Sequence, residues 1–160
     1  MTVALRAQLA AGIVAGLVGG ILVDAFLIGA QIAAGAPPAQ TISGAYTHVA
    51  SVALGPPANS LPAAPLIGVL LHFVVSIGWA FGYVYLIRTR PQLLAQPWLS
   101  GAGFGLVEYV FMQIVLLAGG AYHRPASPGA LGTALVANIV FFGIPVALVA
   151  TRMLHRPGAA

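Results

Sequence analysis

Two carboxylates are the only acidic side chains of this chain, and both lie inside long apolar segments. Asp24 and Glu108 are therefore the residues at which the sequence points most directly to chemistry. An ionised, unpaired carboxylate in hydrocarbon costs about 3 kcal/mol or more, so such a side chain usually faces a bundle interior, a partner or a water-filled cavity. We expect each of the two to have a partner.

His72 is the predicted partner of Asp24. The side-chain amides of Gln113 and Asn138 are predicted to lie at the same depth in the membrane as this pair. Asp24, His72, Gln113 and Asn138 each lie about seven or eight residues from the end of their apolar segment that we predict to be outside. At 1.5 Å per residue they share a depth of roughly 10 Å. This polar layer either links the helices by hydrogen bonds or holds a proton, an ion or a polar ligand.

Glu108 lies deeper, near the middle of its segment, and we expect it to make a second contact, for example with another protein. The hydroxyl of the adjacent Tyr109 is expected to donate to one of the two carboxylates. A purely structural role is the alternative for both acids and for His72.

Other chemistry has little support in the sequence. One intramembrane His with two carboxylates is an unlikely zinc shell, and a bis-His haem would need His72 of a second copy. The chain has no cysteine. Ser76 lies one helical turn from His72. This spacing fits a helix packing face as well as it fits the active site of a hydrolase. We therefore predict no catalytic residue, no metal and no cofactor.

The segments that carry these residues are typical of a membrane protein. Of 160 residues, 60% are hydrophobic and 5% are charged, which is too little polar surface for a soluble globule. Four apolar stretches, at about residues 9–31, 65–87, 98–120 and 130–150, are long enough to cross roughly 30 Å of hydrocarbon. Because backbone polar groups in lipid must be satisfied internally, we predict one all-α membrane domain over residues 1–160, a four-helix bundle.

The arginines predict the orientation of this domain. Both termini and the second loop carry Arg6, Arg88, Arg90, Arg152 and Arg156, whereas the loop at 32–64 has none and Arg124 is the one exception. By the positive-inside rule both termini are cytoplasmic. Spread over short segments, these charges suit lipid headgroups and not nucleic acid. A cleaved signal peptide is the alternative for the first stretch, although its length and Asp24 argue against it.

Glycines recur at four-residue steps and predict tight helix packing. The first helix has Gly12, Gly16 and Gly20 before Asp24, and the third has Gly101 and Gly105 before Tyr109 and Gln113. Gly68 and Ser76 lie on a similar face of the second helix. Together with the similar ends at residues 86–90 and 148–152, the pattern indicates either a duplicated helical hairpin or a chance match among many glycines.

The first loop is predicted to contain a short amphipathic helix between Pro38 and Gly55. Its apolar residues recur at helical spacing: Ile42, Ala45, Tyr46, Val49, Val52 and Ala53. Gln40, Ser43, Thr47 and Ser51 are expected to face water. The helix either lies on the membrane surface or caps the bundle.

In the fourth transmembrane helix, Pro145 is expected to cause a kink and to free the carbonyl of Phe141.

Several of these motifs resemble a family of small uncharacterised four-helix inner-membrane proteins of bacteria. The resemblance covers nearly the whole chain and includes residues 12–24, the Leu71-His72-Phe73 element, residues 105–112 and residues 143–148. It implies the topology and an inner-membrane location, and it implies no activity.

From size and composition we expect a non-enzymatic accessory or assembly protein. It would associate with itself or with a larger membrane complex through its glycine-rich faces, with the lipid bilayer as its surroundings and no nucleic acid as a partner. A small oligomeric transport or proton-coupled module that uses Asp24 and His72 is the alternative.

Overall fold

The protein, seen in a computed structural model that describes residues 3–118 and 127–154, is all-α. It consists of five helices: α1 (Val3–Ala33), α2 (Pro38–Leu54), α3 (Ala64–Thr89), α4 (Pro97–Ala118) and α5 (Pro128–Leu154). Two short 3-10 turns, Pro56–Ser60 and Pro91–Ala95, precede α3 and α4. Gly120, Arg124 and Arg156, on which sequence predictions rested, lie outside the described residues.

Four of the helices, all but α2, are long and apolar enough to cross a membrane. They confirm the four predicted stretches and extend most of them by a few residues. The extension has a local cause, because helices end at capping residues and not where hydropathy falls. Pro97 and Pro128 occupy first-turn positions, and the Ser127 side chain accepts a hydrogen bond from the backbone N–H of Ala130.

The four long helices form a bundle in which α1 packs between α3 and α5, and α4 packs against α5. An aromatic cluster joins α3 to α4, where the ring of Trp79 meets those of Phe104 and Phe111 edge-on at 5.7 and 5.3 Å. Tyr83 meets Phe104 at 5.1 Å and is fully buried. α1 and α4 therefore occupy opposite corners of the bundle, without extensive contact.

Arg6, Arg88, Arg90 and Arg152 are exposed at the end of the bundle where α1 and α4 begin and where α3 and α5 end. We call this the arginine end. The opposite end, where α2 packs against α3 and α1, is the capped end.

The predicted glycine faces are helix contacts within the chain. A Cβ atom placed on Gly16 would lie 2.5 Å from Cα of Ile77, and one on Gly105 would lie 2.9 Å from Cα of Ile139. Each distance is too short for a real side chain. The same holds, against other residues of the chain, for Gly12, Gly68 and Gly101, and Gly20 is nearly as tight. Tight packing is confirmed, but these faces are already covered, so the expected association through them has no surface left to use.

α2 folds back along α3 at the capped end. Gly68 of α3 lies directly against the backbone carbonyl of Tyr46, and Ala50 is fully buried. Gln40 and Ser43 are exposed as predicted, whereas Ile42, predicted on the packed face, is 44% exposed. α2 thus packs along α3 and makes a smaller contact with α1, and the choice between a surface helix and a cap stays a prediction.

Glycines turn the chain at both ends of α2. Gly35 and Gly55 have φ of 95° and 86°, a region that side chains other than glycine rarely adopt. These two turns let a helix of 17 residues return over the bundle and lie against α3.

α5 contains a widened turn just before Pro145, while the predicted kink and the free carbonyl of Phe141 stay predictions. Residues Ala137–Gly143 are π-helical, and the N–H of Ile144 donates to the carbonyl of Ile139. Proline lacks an N–H and cannot bond the carbonyl four residues earlier, so the turns before it are free to take another register.

Candidate functional site at the capped end

The side chains of Asp24 and His72 are in contact between α1 and α3. The Nε2 atom of His72 lies 3.1 Å from Oδ2 of Asp24. The predicted partnership is therefore confirmed. It arises because α1 and α3 run antiparallel and place residues of equal depth side by side.

Tyr46 of α2 is the third member of this site. Its hydroxyl donates to the same Oδ2 atom of Asp24 across 2.7 Å. We call Asp24, His72 and Tyr46 the capped-end triad, since three separate helices supply it. The sequence pattern placed Tyr46 only on the apolar face of α2. Tyr46 is the one residue with a polar group among the six residues assigned to that face. A buried tyrosine hydroxyl usually needs a hydrogen-bond partner, and this feature of the sequence could have indicated its role.

The contacts of His72 fix which ring nitrogen carries a proton. Nε2 also lies 3.3 Å from the carbonyl oxygen of Gly20, so it faces two acceptors. A nitrogen between two acceptors must be the donor, which makes it the protonated nitrogen of the neutral ring. A second proton on Nδ1 would add a positive charge without breaking either contact. The triad can thus change its charge and keep its geometry.

Close packing sets the position of the imidazole. A Cβ atom on Gly20 would lie 3.2 Å from Nε2 of His72 and 3.1 Å from Oγ of Ser76, so only glycine permits this approach without a shift. The ring of Phe73 meets the imidazole edge-on at 5.1 Å. Even so, the side chains of His72 and Asp24 remain 16% and 20% exposed. The triad is partly sheltered and still accessible.

Tyr46 acts in the triad as a hydrogen-bond donor. Burial, the hydrogen bond to Asp24 and the charge of that carboxylate raise the pKa of Tyr46 to about 12. Its hydroxyl therefore keeps its proton at physiological pH. The groups left to exchange protons are Asp24 and His72.

The other two members of the predicted polar layer are not part of this triad. The amide of Asn138 donates to the carbonyl of Ala134 in its own helix across 2.8 Å. Gln113 is partly buried on α4, a helix without extensive contact with α1. Equal depth can be read from the sequence, but side chains at one depth meet only when their helices are neighbours.

Glu108 is 7% exposed, and its Oε2 atom has no hydrogen-bond partner among residues 3–118 and 127–154. The expectation that Tyr109 donates to a carboxylate is wrong, since its hydroxyl donates to the backbone carbonyl of Leu131 across 3.3 Å. Successive side chains on a helix project about 100° apart, so Tyr109 points away from the Glu108 face. Glu108 shares its face with Phe104 and Phe111, the residues that pack on Trp79.

Within residues 3–118 and 127–154, no three His, Asp or Glu side chains come together as a metal site would require.

No protein-family model matches the chain, and neither a curated protein nor a solved structure matches it. The resemblance to small bacterial four-helix proteins thus stays a prediction. Function must therefore be inferred from the chemistry of the triad.

Proposed function

We propose that this protein is a small, non-enzymatic, proton-coupled membrane module in which Asp24 and His72 exchange a proton beneath α2. The observation that carries the proposal is the 3.1 Å contact between an imidazole and a carboxylate inside a bundle that is otherwise almost free of charge. Ionisable groups within membrane spans commonly mark proton or ion pathways.

The chemistry of the pair supports proton exchange. Histidine is the side chain whose ordinary titration lies nearest neutral pH, and a carboxylate is the natural counterion of its charged form. With one exchangeable proton the pair is neutral overall, either as a charged His72 beside an ionised Asp24 or as a neutral imidazole beside a protonated Asp24. Without that proton the pair carries one negative charge. Partial exposure of both side chains would let the pair take up and release a proton at the capped end.

The proposed orientation places the triad on the outer side of a bacterial inner membrane. Four described arginines lie at the arginine end, and positively charged ends remain in the cytoplasm. Under this orientation both termini are cytoplasmic, and α2 lies over the outer leaflet. Protons would reach Asp24 and His72 from outside.

Proton flux into liposomes tests the proposal. The purified protein is reconstituted with a trapped pH-sensitive dye, and an imposed pH gradient is followed over time. We expect flux above that of empty liposomes, with at least about a tenfold loss in Asp24→Asn and His72→Gln, since each removes one of two groups that act in series. His48→Gln is the matched control, because His48 lies exposed on α2. Wild-type flux in Asp24→Asn would remove the carboxylate from the mechanism.

Association with another membrane protein or with a second copy is a second proposal. It is supported by Gly78 and Gly82, which lie one turn apart on the exposed face of α3, where a Cβ atom added to either would meet no other described part of the chain within 4 Å. Such a pair lets another helix approach closely. Native mass spectrometry of Gly78→Ile and Gly82→Ile would show a loss of assembly, whereas Gly103→Ile, at an equally open position on α4, would not.

We also propose that the bundle is a duplicated hairpin. The glycine steps equate Gly16 with Gly105, and the matched helix ends equate Ile77 with Ile139. A Cβ atom on Gly16 would meet the backbone of Ser76 and Ile77, and one on Gly105 would meet the backbone of the equivalent pair Asn138 and Ile139, which supports the duplication. The positions equivalent to Asp24 and His72 hold Gln113 and Ala134, so only one hairpin would carry the acid and the imidazole.

A further inference from the structure

A groove of about 150 Å³ opens on the side of the bundle near the arginine end, between α1 and α3. Leu5 and Leu9 of α1 and Phe81, Val84 and Tyr85 of α3 line it. Leu5, Leu9 and Tyr85 are 42%, 37% and 68% exposed, so the groove faces outward. Its volume is that of cavities that admit one small apolar molecule, and it therefore suits part of an acyl chain.

The same groove has a cationic member. Arg88 and Gln8 also line it, and one terminal nitrogen of Arg88 donates to Oε1 of Gln8 across 3.0 Å. A guanidinium has five N–H groups, so several remain for another acceptor. The contact with Gln8 holds the guanidinium beside the apolar walls of the groove. Because the side chain is already ordered, it loses less conformational entropy when a ligand binds.

We propose that this groove binds one anionic phospholipid in the leaflet at the arginine end. Its phosphate accepts hydrogen bonds from Arg88, and one of its acyl chains lies against Leu9 and Phe81. Charge complementarity selects the occupant, since a guanidinium favours a phosphate whose charge no headgroup cation neutralises, and headgroups lie where the helices end. Arg90, the residue that follows α3, adds positive charge at the same end of the bundle. This proposal does not depend on the proton-coupled function.

Native mass spectrometry with defined lipids tests it. The protein in mild detergent receives phosphatidylglycerol or phosphatidylcholine with identical acyl chains, and the retained lipids are counted. One arginine near an anionic membrane surface is worth about a fivefold preference. We expect the wild-type protein to retain about five times more phosphatidylglycerol than phosphatidylcholine. Arg88→Gln should lose this preference. Arg152→Gln, an exposed arginine on α5 at the same end, should keep it.

A second pair of variants tests the apolar part of the site. Leu9→Trp would fill the groove from α1, whereas Leu17→Trp lies two turns away on the same helix with the same 37% exposure. We expect Leu9→Trp alone to reduce retained phosphatidylglycerol. The proposal is overturned if Arg88→Gln binds as wild type does, if Arg152→Gln loses the preference equally, or if the two tryptophan variants behave alike.

Discussion

The hydroxyl of Tyr46 donates to Oδ2 of Asp24 across 2.7 Å and ties the cap helix α2 to the transmembrane helix α1. The acceptor atom is shared with Nε2 of His72, so a single carboxylate oxygen joins α1, α2 and α3. The position of the cap and the state of the acid–base pair are thereby linked. A change in the charge of Asp24 would act on both.

Tyr46→Phe should loosen α2 while leaving the transmembrane helices intact. The substitution removes a hydrogen bond to a charged acceptor, which is worth about 1.5–3 kcal/mol. We expect faster amide hydrogen exchange in residues 38–54 and little change in α4. Tyr85→Phe is the control, because Tyr85 is 68% exposed on α3. Equal protection of α2 in wild type and Tyr46→Phe would show that packing alone holds the cap.

High pH should release the same contact. The pKa of Tyr46 is about 12 in the folded protein, against about 10 for an ordinary tyrosine. A raised pKa means that the stabilisation by the bound proton is fully present below about pH 10 and is lost as the pH rises to about 12. Protection of α2 measured across this range should fall in wild type. The part of that fall due to Tyr46 should be absent in Tyr46→Phe.

Gly68→Ala should displace α2 by steric contact. An added Cβ would run into the backbone carbonyl of Tyr46, which cannot move aside as a flexible side chain can. Overpacking of this kind costs about 1–3 kcal/mol. Thermal unfolding in detergent and exchange in α2 would measure it. Gly44→Ala is the matched control within α2 itself, since a Cβ atom added to Gly44 would meet no other described part of the chain within 4 Å. Equal stability of the two variants would contradict the close approach of α2 to α3.

Gly16→Ala and Gly105→Ala should each lower the free energy of unfolding. Both positions face backbone atoms of the neighbouring helix, at Ile77 and Ile139. We expect losses of about 1–3 kcal/mol in each. Gly78→Ala, at an open position in α3, should be neutral or raise stability by up to about 1 kcal/mol through helix propensity. If all three behave alike, glycine packing is not what holds the helices together.

The two acids should respond in opposite ways to apolar replacement. Glu108→Met removes a buried oxygen that has no partner in the part of the chain that the structure describes, so the free energy of unfolding should stay the same or rise by about 1 kcal/mol. Asp24→Leu leaves Tyr46 and His72 without their shared acceptor and should cost about 1–3 kcal/mol. Denaturant titration in mixed micelles compares them. A large loss in Glu108→Met would mean that Glu108 makes a stabilising contact of its own.

The sequence by itself determined the four spans, the all-α class and the partnership of Asp24 with His72. Hydrophobic length fixes the first two, because lipid admits few alternatives to a helix. The partnership followed because consecutive antiparallel helices place equal depths side by side. Tyr46 needed the tertiary structure, since hydrophobic periodicity places a residue on a helix face and does not say which neighbour that face will meet.

The tertiary structure also decided which polar residues stay apart. Gln113 and Asn138 share the predicted depth of Asp24, but helix order puts α4 opposite α1, and Asn138 bonds within its own helix. It likewise assigned the glycine faces to contacts within the chain. Depth and periodicity are properties of one helix and can be read from sequence, whereas the order of helices around the bundle depends on how all of their surfaces fit together.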